Sequence, residues 1–253
     1  MSAVIGTAGW AIPASDSDIF PLSGTLLQRY ASVMRGVEVN SSFHRPHRRS
    51  TWERWAGSVP ENFRFAVKMP KQISHVHRIV DVHALIEQFV SQVGGLGDKL
   101  ELLLLQLPPS LKFDSGVMAA FLDAVTSLTD TPIVCEPRNC SWFGSEASTL
   151  LTERRVARVA ADPAKIPDGD HPGGWRGTTY IRLHGSPEMY RSAYDEERLR
   201  SYASQIADDR AAGRSVWCMF DNTAASAALG DALKLITILN STCQYQSRAL
   251  QAL

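Results

Sequence analysis

The segment "TTYIRLHG" (178–185) sets an arginine and a histidine two residues apart inside a run of strand formers. Tyr180, Ile181 and Leu183 favour extended backbone. Side chains alternate faces along a strand, so Tyr180, Arg182 and His184 share one face while Ile181 and Leu183 share the other. With the apolar face on a core, the Arg/His face is either ordinary surface or the wall of a polar site. Which of the two applies depends on how many such segments the chain has and what each carries at its end.

Seven further short apolar runs occur: "VIGTAGW" (4–10), "GVEVNSSF" (36–43), "FRFAVKMP" (63–70), "LELLLLQLP" (100–108), "PIVCEPR" (132–138), "ARVAADP" (157–163) and "SVWCMFDN" (215–222). The eight starts are spaced by roughly 20 to 40 residues, which suits parallel strands joined by crossover helices rather than hairpins. Helical spacing of apolar residues is present in 25–34, 81–93, 114–128, 195–212 and 222–239, the last with Asn222 or Thr223 as its cap. The gap at 164–177, "AKIPDGDHPGGWRG", is rich in proline and glycine and reads as loop. Eight strands alternating with helices predict one domain over residues 1–253, a (β/α)8 TIM barrel; an open doubly wound sheet is the competing arrangement.

Composition narrows the classes. The 253 residues are 44% hydrophobic and 21% charged, with 26 basic against 26 acidic side chains. Zero net charge gives no global attraction to nucleic acid or to an anionic membrane, although a local basic patch remains open. The greasiest run, at 100–109, is too short to span a bilayer and contains Glu101 and Gln106. Cys135, Cys140, Cys218 and Cys243 form no C-x-x-C pair, and no signal-peptide pattern follows Met1. Reduced thiols in a cytoplasmic protein are therefore expected.

Within a barrel, the polar residues of a site belong at the C-terminal strand ends. The chain places Glu38 and Asn40 at the end of strand two, Lys68 on strand three and Gln106 on strand four. Strand five ends in Glu136 and Arg138, strand six in Asp162, strand seven in Arg182 and His184, and strand eight in Asn222. A single ion pair inside a barrel is a satisfied core contact; charged groups converging on one end from so many strands fit a pocket better. "GTAGW" lacks the lysine and spacing of a phosphate loop, and instead lets strand one turn tightly, with Trp10 as a wall of the pocket.

The motifs "GTAGW", "VEVNSSF", "AVKMPKQISH", "LLLLQLPPSL", "EPRNCSW", "YIRLHG" and "MFDN" follow one another in an order that resembles the YecE-like family of uncharacterised TIM barrels, domain of unknown function 72. The resemblance covers about residues 4–240 and implies a TIM-barrel fold, without supplying a reaction. Some members look like endonuclease IV-type barrels, which implies nucleic acid as one candidate partner. Two departures stand out. Asn139 in "EPRNCSW" occupies a position where the family commonly has histidine, and His44 follows "NSSF" where tyrosine is frequent.

Three chemistries fit these residues. The first is recognition of a phosphorylated or otherwise anionic small molecule by Arg138, Arg182 and Lys68, with Gly185, Ser186 and the helix start after Asn222 offering backbone N–H groups. Glu136 and His184 are then the catalytic acid–base candidates of a phosphoester hydrolase or a sugar-phosphate isomerase or lyase. Glu38, Asn40, Gln106, Asn222 and Trp10 complete the ligand-binding set. The second is a divalent cation on Glu136, Asp162 and His184, disfavoured by two arginines in the same mouth. The third is nucleic-acid binding through "HRPHRRSTWERW" (44–55), weighed against an amphipathic helix that buries Trp52 and Trp55 and leaves its arginines in water. No organic cofactor is indicated.

Overall fold

In the computed structural model, which describes residues 3–251, ten strands alternate with helices. The strands are β1 (Val4–Thr7), β2 (Gly36–Val39), β3 (Arg64–Lys68), β4 (Leu100–Gln106), β5 (Ile133–Glu136), β6 (Ala157–Arg158), β7 (Ala160–Asp162), β8 (Gly173–Gly174), β9 (Thr178–Leu183) and β10 (Ser215–Phe220). They form two sheets, ordered β1-β10-β9-β7 and β2-β3-β4-β5-β6-β8. Every pairing is parallel except the short β6–β8 contact. The fold is mixed α/β and TIM-barrel-like.

Two seams explain why the sheets are separate. The expected sixth strand is one extended run interrupted at Val159, so that β6 pairs with β5 while β7 pairs with β9. At the other seam β1 and β2 share only the bridge between Ala8 and Glu38, with the Gly9 N–H donating to the Glu38 carbonyl at 2.8 Å. Here Tyr30 substitutes for the ladder. Its buried hydroxyl accepts from the Thr7 N–H at 3.0 Å and donates to the Gly36 carbonyl at 3.1 Å. The strands also approach closely, since a Cβ on Gly6 would sit 2.3 Å from the Gly36 carbonyl oxygen. Tyr30→Phe leaves two buried backbone groups unpaired. It is expected to cost on the order of 1–3 kcal/mol, read as a lower denaturant midpoint with an unchanged slope.

The helices are α1 (Leu26–Ala31), α2 (Ser41–His44), α3 (Arg49–Ser58), α4 (His83–Val93), α5 (Ser115–Thr126), α6 (Ser145–Glu153), α7 (Glu196–Ala211) and α8 (Ala227–Gln251). Side-chain caps fix three starts. Thr25 and Gln28 form a capping box on α1, Asp114 accepts from Val117 N–H on α5, and Asp195 accepts from Arg198 N–H on α7. The helix α6 was not anticipated from the sequence. The last helix begins at Ala227, five residues after Asn222, because residues 223–226 turn first and Ser226 takes φ +62°. Neither Asn222 nor Thr223 is therefore its cap. Cys135 and Cys218 are buried free thiols and Cys140 an exposed one; the Cys243 side chain lies outside the described residues. Among the described residues no helix is long and apolar enough to cross a membrane.

Two apolar clusters assign the strand faces. The smaller one, inside the strand layer, contains Ala66, Leu102, Leu104, Val134, Ala157, Val159, Tyr180, Trp217 and Met219. The larger one lies between strands and helices and takes the alternate residues, among them Val37, Phe65, Leu103, Cys135, Ile181 and Cys218. Interior positions are thus even-numbered on β3, β4, β5 and β9, and odd-numbered across 157–161 and on β10. Tyr180 and Trp217 stack at 6.1 Å in the interior. The next interior positions toward the C-terminal ends are Lys68, Gln106, Glu136, Arg182 and, beyond β10, Asp221.

Candidate functional site

Arg182 is the hub of the C-terminal end. It is fully buried, with 0% exposure. Its Nε and Nη2 donate to the two oxygens of Glu38 at 2.9 and 2.6 Å, its Nη1 to Glu136 Oε2 at 2.5 Å, and its Nη2 also to Asp221 Oδ2 at 2.9 Å. Tyr180 adds a hydroxyl to Glu38 Oε2 at 2.8 Å. Parity aims Arg182 inward as the sequence predicts, yet its donors are occupied by three carboxylates. Arg182 and Glu38 thus belong to a buried ion cluster at this end of the strands.

Glu136 connects that cluster to the open side. Its Oε1 accepts from Gln106 Nε2 at 2.9 Å and from Arg138 Nε and Nη2 at 3.0 and 2.9 Å. Burial opposes its ionisation, but Arg182, His184 and Arg138 outweigh burial and hold the carboxyl well below the usual range. His184, just past β9, bonds Asp221 Oδ2 through Nδ1 at 3.0 Å, and its Nε2 stands 3.6 Å from Glu136 Oε1. Burial and Arg182 disfavour the imidazolium; the bonds to Asp221 and Glu136 overcome both and raise its pKa above 6.5. Asp221 is held low against its own burial by Arg182, His184 and Lys68.

Lys68 closes the third side. It is 8% exposed, and its ammonium lies 4.2 Å from the centre of the Phe43 ring. Ser42 fixes the adjoining backbone by donating its hydroxyl to the Lys68 carbonyl at 2.7 Å. Among the described residues no hydrogen bond or ion pair reaches Nζ. Burial first, then Arg182, lower the amine from 10.5 to about 8, against the pull of Glu136, Glu38 and Asp221. His75 stands edge-on to the same Phe43 at 5.0 Å, and its pKa is lowered by burial and by Lys68 and Arg138.

A small cleft with about 30 Å³ of free volume opens beside these groups. Glu136, Arg138 and His184 form its polar side, while Phe143, Val159, Ile166 and Met189 line it with apolar surface.

Several expected members are elsewhere. Asp162 faces outward, bonded to Tyr194 Oη at 2.6 Å and Arg198 Nη2 at 2.5 Å. The divalent-cation set Glu136, Asp162 and His184 is therefore not assembled, and no group of three metal-ligating side chains occurs among the described residues. Asn222 is also outward, donating to Asp231 Oδ2 at 2.8 Å and to the Ser192 carbonyl. The odd-numbered interior parity of β10 gives its place to Asp221. Asn40 leaves β2 in a helical turn, with a buried Oδ1 lacking a partner. Trp10 stands edge-on to Trp55 at 5.0 Å and does not line the cleft. Trp52 is buried on α3 and touches Trp55, while Arg45, Arg48, Arg49 and Arg54 are exposed. Asn139 caps the turn over Cys140–Phe143, accepting from the Ser141 N–H and donating to the Pro109 carbonyl. Asp221, Phe43 and His75 were not singled out from sequence; the motif "NSSF" and the residue beside Asn222 were the available signals.

Comparison with known proteins agrees with this architecture. The family model described as a protein of unknown function, DUF72, matches residues 4–252. The UPF0759 protein YunF of Bacillus subtilis is 24% identical over 269 residues, covering 93% of this chain and 94% of that protein. A DUF72 family protein of Enterococcus faecalis superposes with a TM-score of 0.78 at 21% identity, over 94% of this chain and 96% of the other. One from Thermotoga maritima gives 0.76 at 22% identity, over 94% and 100%.

Proposed function

The chain belongs to the DUF72 family, and we propose that its mouth binds a small anionic molecule, phosphorylated or carboxylated, and acts on it by acid–base chemistry. We further infer that the two sheets work as one eight-stranded barrel, with seams at Val159 and at the Tyr30 hydroxyl, so that the charged layer is its C-terminal mouth. The observation that carries the functional reading is the state of two cations at the strand ends. Lys68 is buried with no ion pair among the described residues, and Arg138, at 20% side-chain exposure, lines the cleft. Cations held in such surroundings are stabilised by an anionic ligand.

In this reading Arg138 holds the anionic end, and the apolar wall at Phe143, Ile166 and Met189 takes the rest. His184, oriented by Asp221, supplies or receives the proton, and Glu136 keeps Arg138 and His184 in register. Phosphoester hydrolysis and sugar-phosphate isomerisation or cleavage both fit that assignment. Thermal melts in phosphate against chloride at matched ionic strength test it. A tenfold excess of phosphate over its dissociation constant is expected to stabilise the wild type by about 1.4 kcal/mol, and Arg138→Gln is expected to lose that gain. Equal behaviour of the two proteins would remove the reading.

A further inference from the structure

We propose that Lys68 is an amine nucleophile that condenses with the aldehyde or ketone of an anionic ligand in the mouth; the anionic part of this statement rests on the function proposed above. Lysine side chains ordinarily end in water or in a salt bridge. Lys68 does neither. Three carboxylates are close enough to act on it electrostatically, but none pairs with it: Arg182, Arg138, His184 and Tyr180 take the oxygens of Glu38 and Glu136 and Oδ2 of Asp221. The Phe43 ring supports the ammonium at 4.2 Å without neutralising it. Burial and the neighbouring guanidinium bring its pKa to about 8, so about a tenth of the side chain is free amine at pH 7, far more than for an ordinary lysine. Lysines activated in this way form imines with carbonyl compounds.

The step balances without a further reagent. The neutral Nζ attacks the carbonyl carbon and a C–N bond forms. The C–O bond then breaks, and both amine hydrogens leave with the oxygen as water, giving a C=N bond. His184, protonated and held by Asp221 on the same mouth, is the acid available to assist departure of the oxygen. The resulting imine draws electrons from the neighbouring carbon, which suits cleavage or isomerisation next to a carbonyl.

Trapping tests the assignment. The full chain is incubated near pH 7.5 with glyoxylate, or with acetaldehyde as a neutral counterpart, in the presence of cyanoborohydride, and reduced adducts are mapped by peptide mass. Lys68 is expected to be labelled at least about tenfold faster than the exposed Lys71 and Lys112. Its labelling rate should level off above pH 8. Lys68→Arg, which keeps the charge, should lose this fast adduct and keep the slow ones. Preference for glyoxylate over acetaldehyde supports both proposals. Equal fast labelling of Lys68 by the two supports the nucleophile and counts against the anionic mouth. Labelling of Lys68 no faster than that of the exposed lysines, with either reagent, overturns the proposal while leaving the phosphate melts to judge anion binding.

Discussion

Replacing Arg182 by alanine is expected to destabilise the fold by on the order of 3–5 kcal/mol, enough to lower the melting temperature markedly at neutral pH. The reason is what remains. Glu38, Glu136 and Asp221 would keep their positions around a void, with no guanidinium between them. The pH dependence separates this cause from simple loss of packing. In the wild type, Glu136 and Asp221 have depressed pKa values, so their contribution is complete above the ordinary carboxylate range and is lost as pH falls through the folded values. In the variant Glu136 keeps Arg138 and Asp221 keeps His184, but both lose the Arg182 guanidinium, so burial weighs more against their ionisation and the variant should gain on the wild type as pH falls from 7 toward 5. Denaturant melts across that window should show the two proteins converging. A uniform loss at every pH would mean that Arg182 acts by volume alone.

The opposite sign is expected at Lys68. Lys68→Met keeps an unbranched side chain, one atom shorter, and removes a buried cation that has no ion pair among the described residues. A pKa lowered from 10.5 to about 8 corresponds to a cost on the order of 3 kcal/mol when the amine is protonated in both states. Below pH 8 that cost is fully present in the wild type. As pH rises from 8 through 10.5 the folded protein sheds the proton before the unfolded chain does, and the cost disappears. Lys68→Met should therefore be the more stable protein at pH 7, with the difference closing near pH 10. Stability gained by deleting a residue from a mouth is what a site built for function rather than for folding predicts. A destabilised variant at pH 7 would show Lys68 to be a structural counter-ion of the carboxylates.

Strand positions were readable because apolar runs bounded by glycine, proline and polar residues recur along the chain. The phase of each strand was harder. The segment "SVWCMFDN" is apolar on both faces, since Trp217 and Met219 fill the interior while Cys218 and Phe220 meet the helices. Alternation then carries no signal, and Asn222 was taken for the inward residue in place of Asp221. In "ARVAADP" the interior residues Ala157 and Val159 are odd-numbered, so Asp162 faces outward to Tyr194 and Arg198 instead of inward as the sequence suggests. The "YIRLHG" phase was legible because its interior face is polar. What Arg182 does there was not, because its partner Glu38 is 144 residues away and their pairing arises only in the folded chain. The tryptophans of 44–55 gave a partial signal: Trp52 is core, and the exposed arginines of α3 follow from helical spacing.

The claim that the mouth is an anion site is tested most directly by locating an oxyanion in it. Crystals soaked in selenate, measured at the selenium edge, should show an anomalous peak within hydrogen-bonding distance of the Arg138 guanidinium, on the side facing Lys68 and His184, and that peak should vanish in Arg138→Gln. Selenate found only at exposed arginines such as Arg48, Arg49 and Arg54, with nothing at Arg138, would contradict the account.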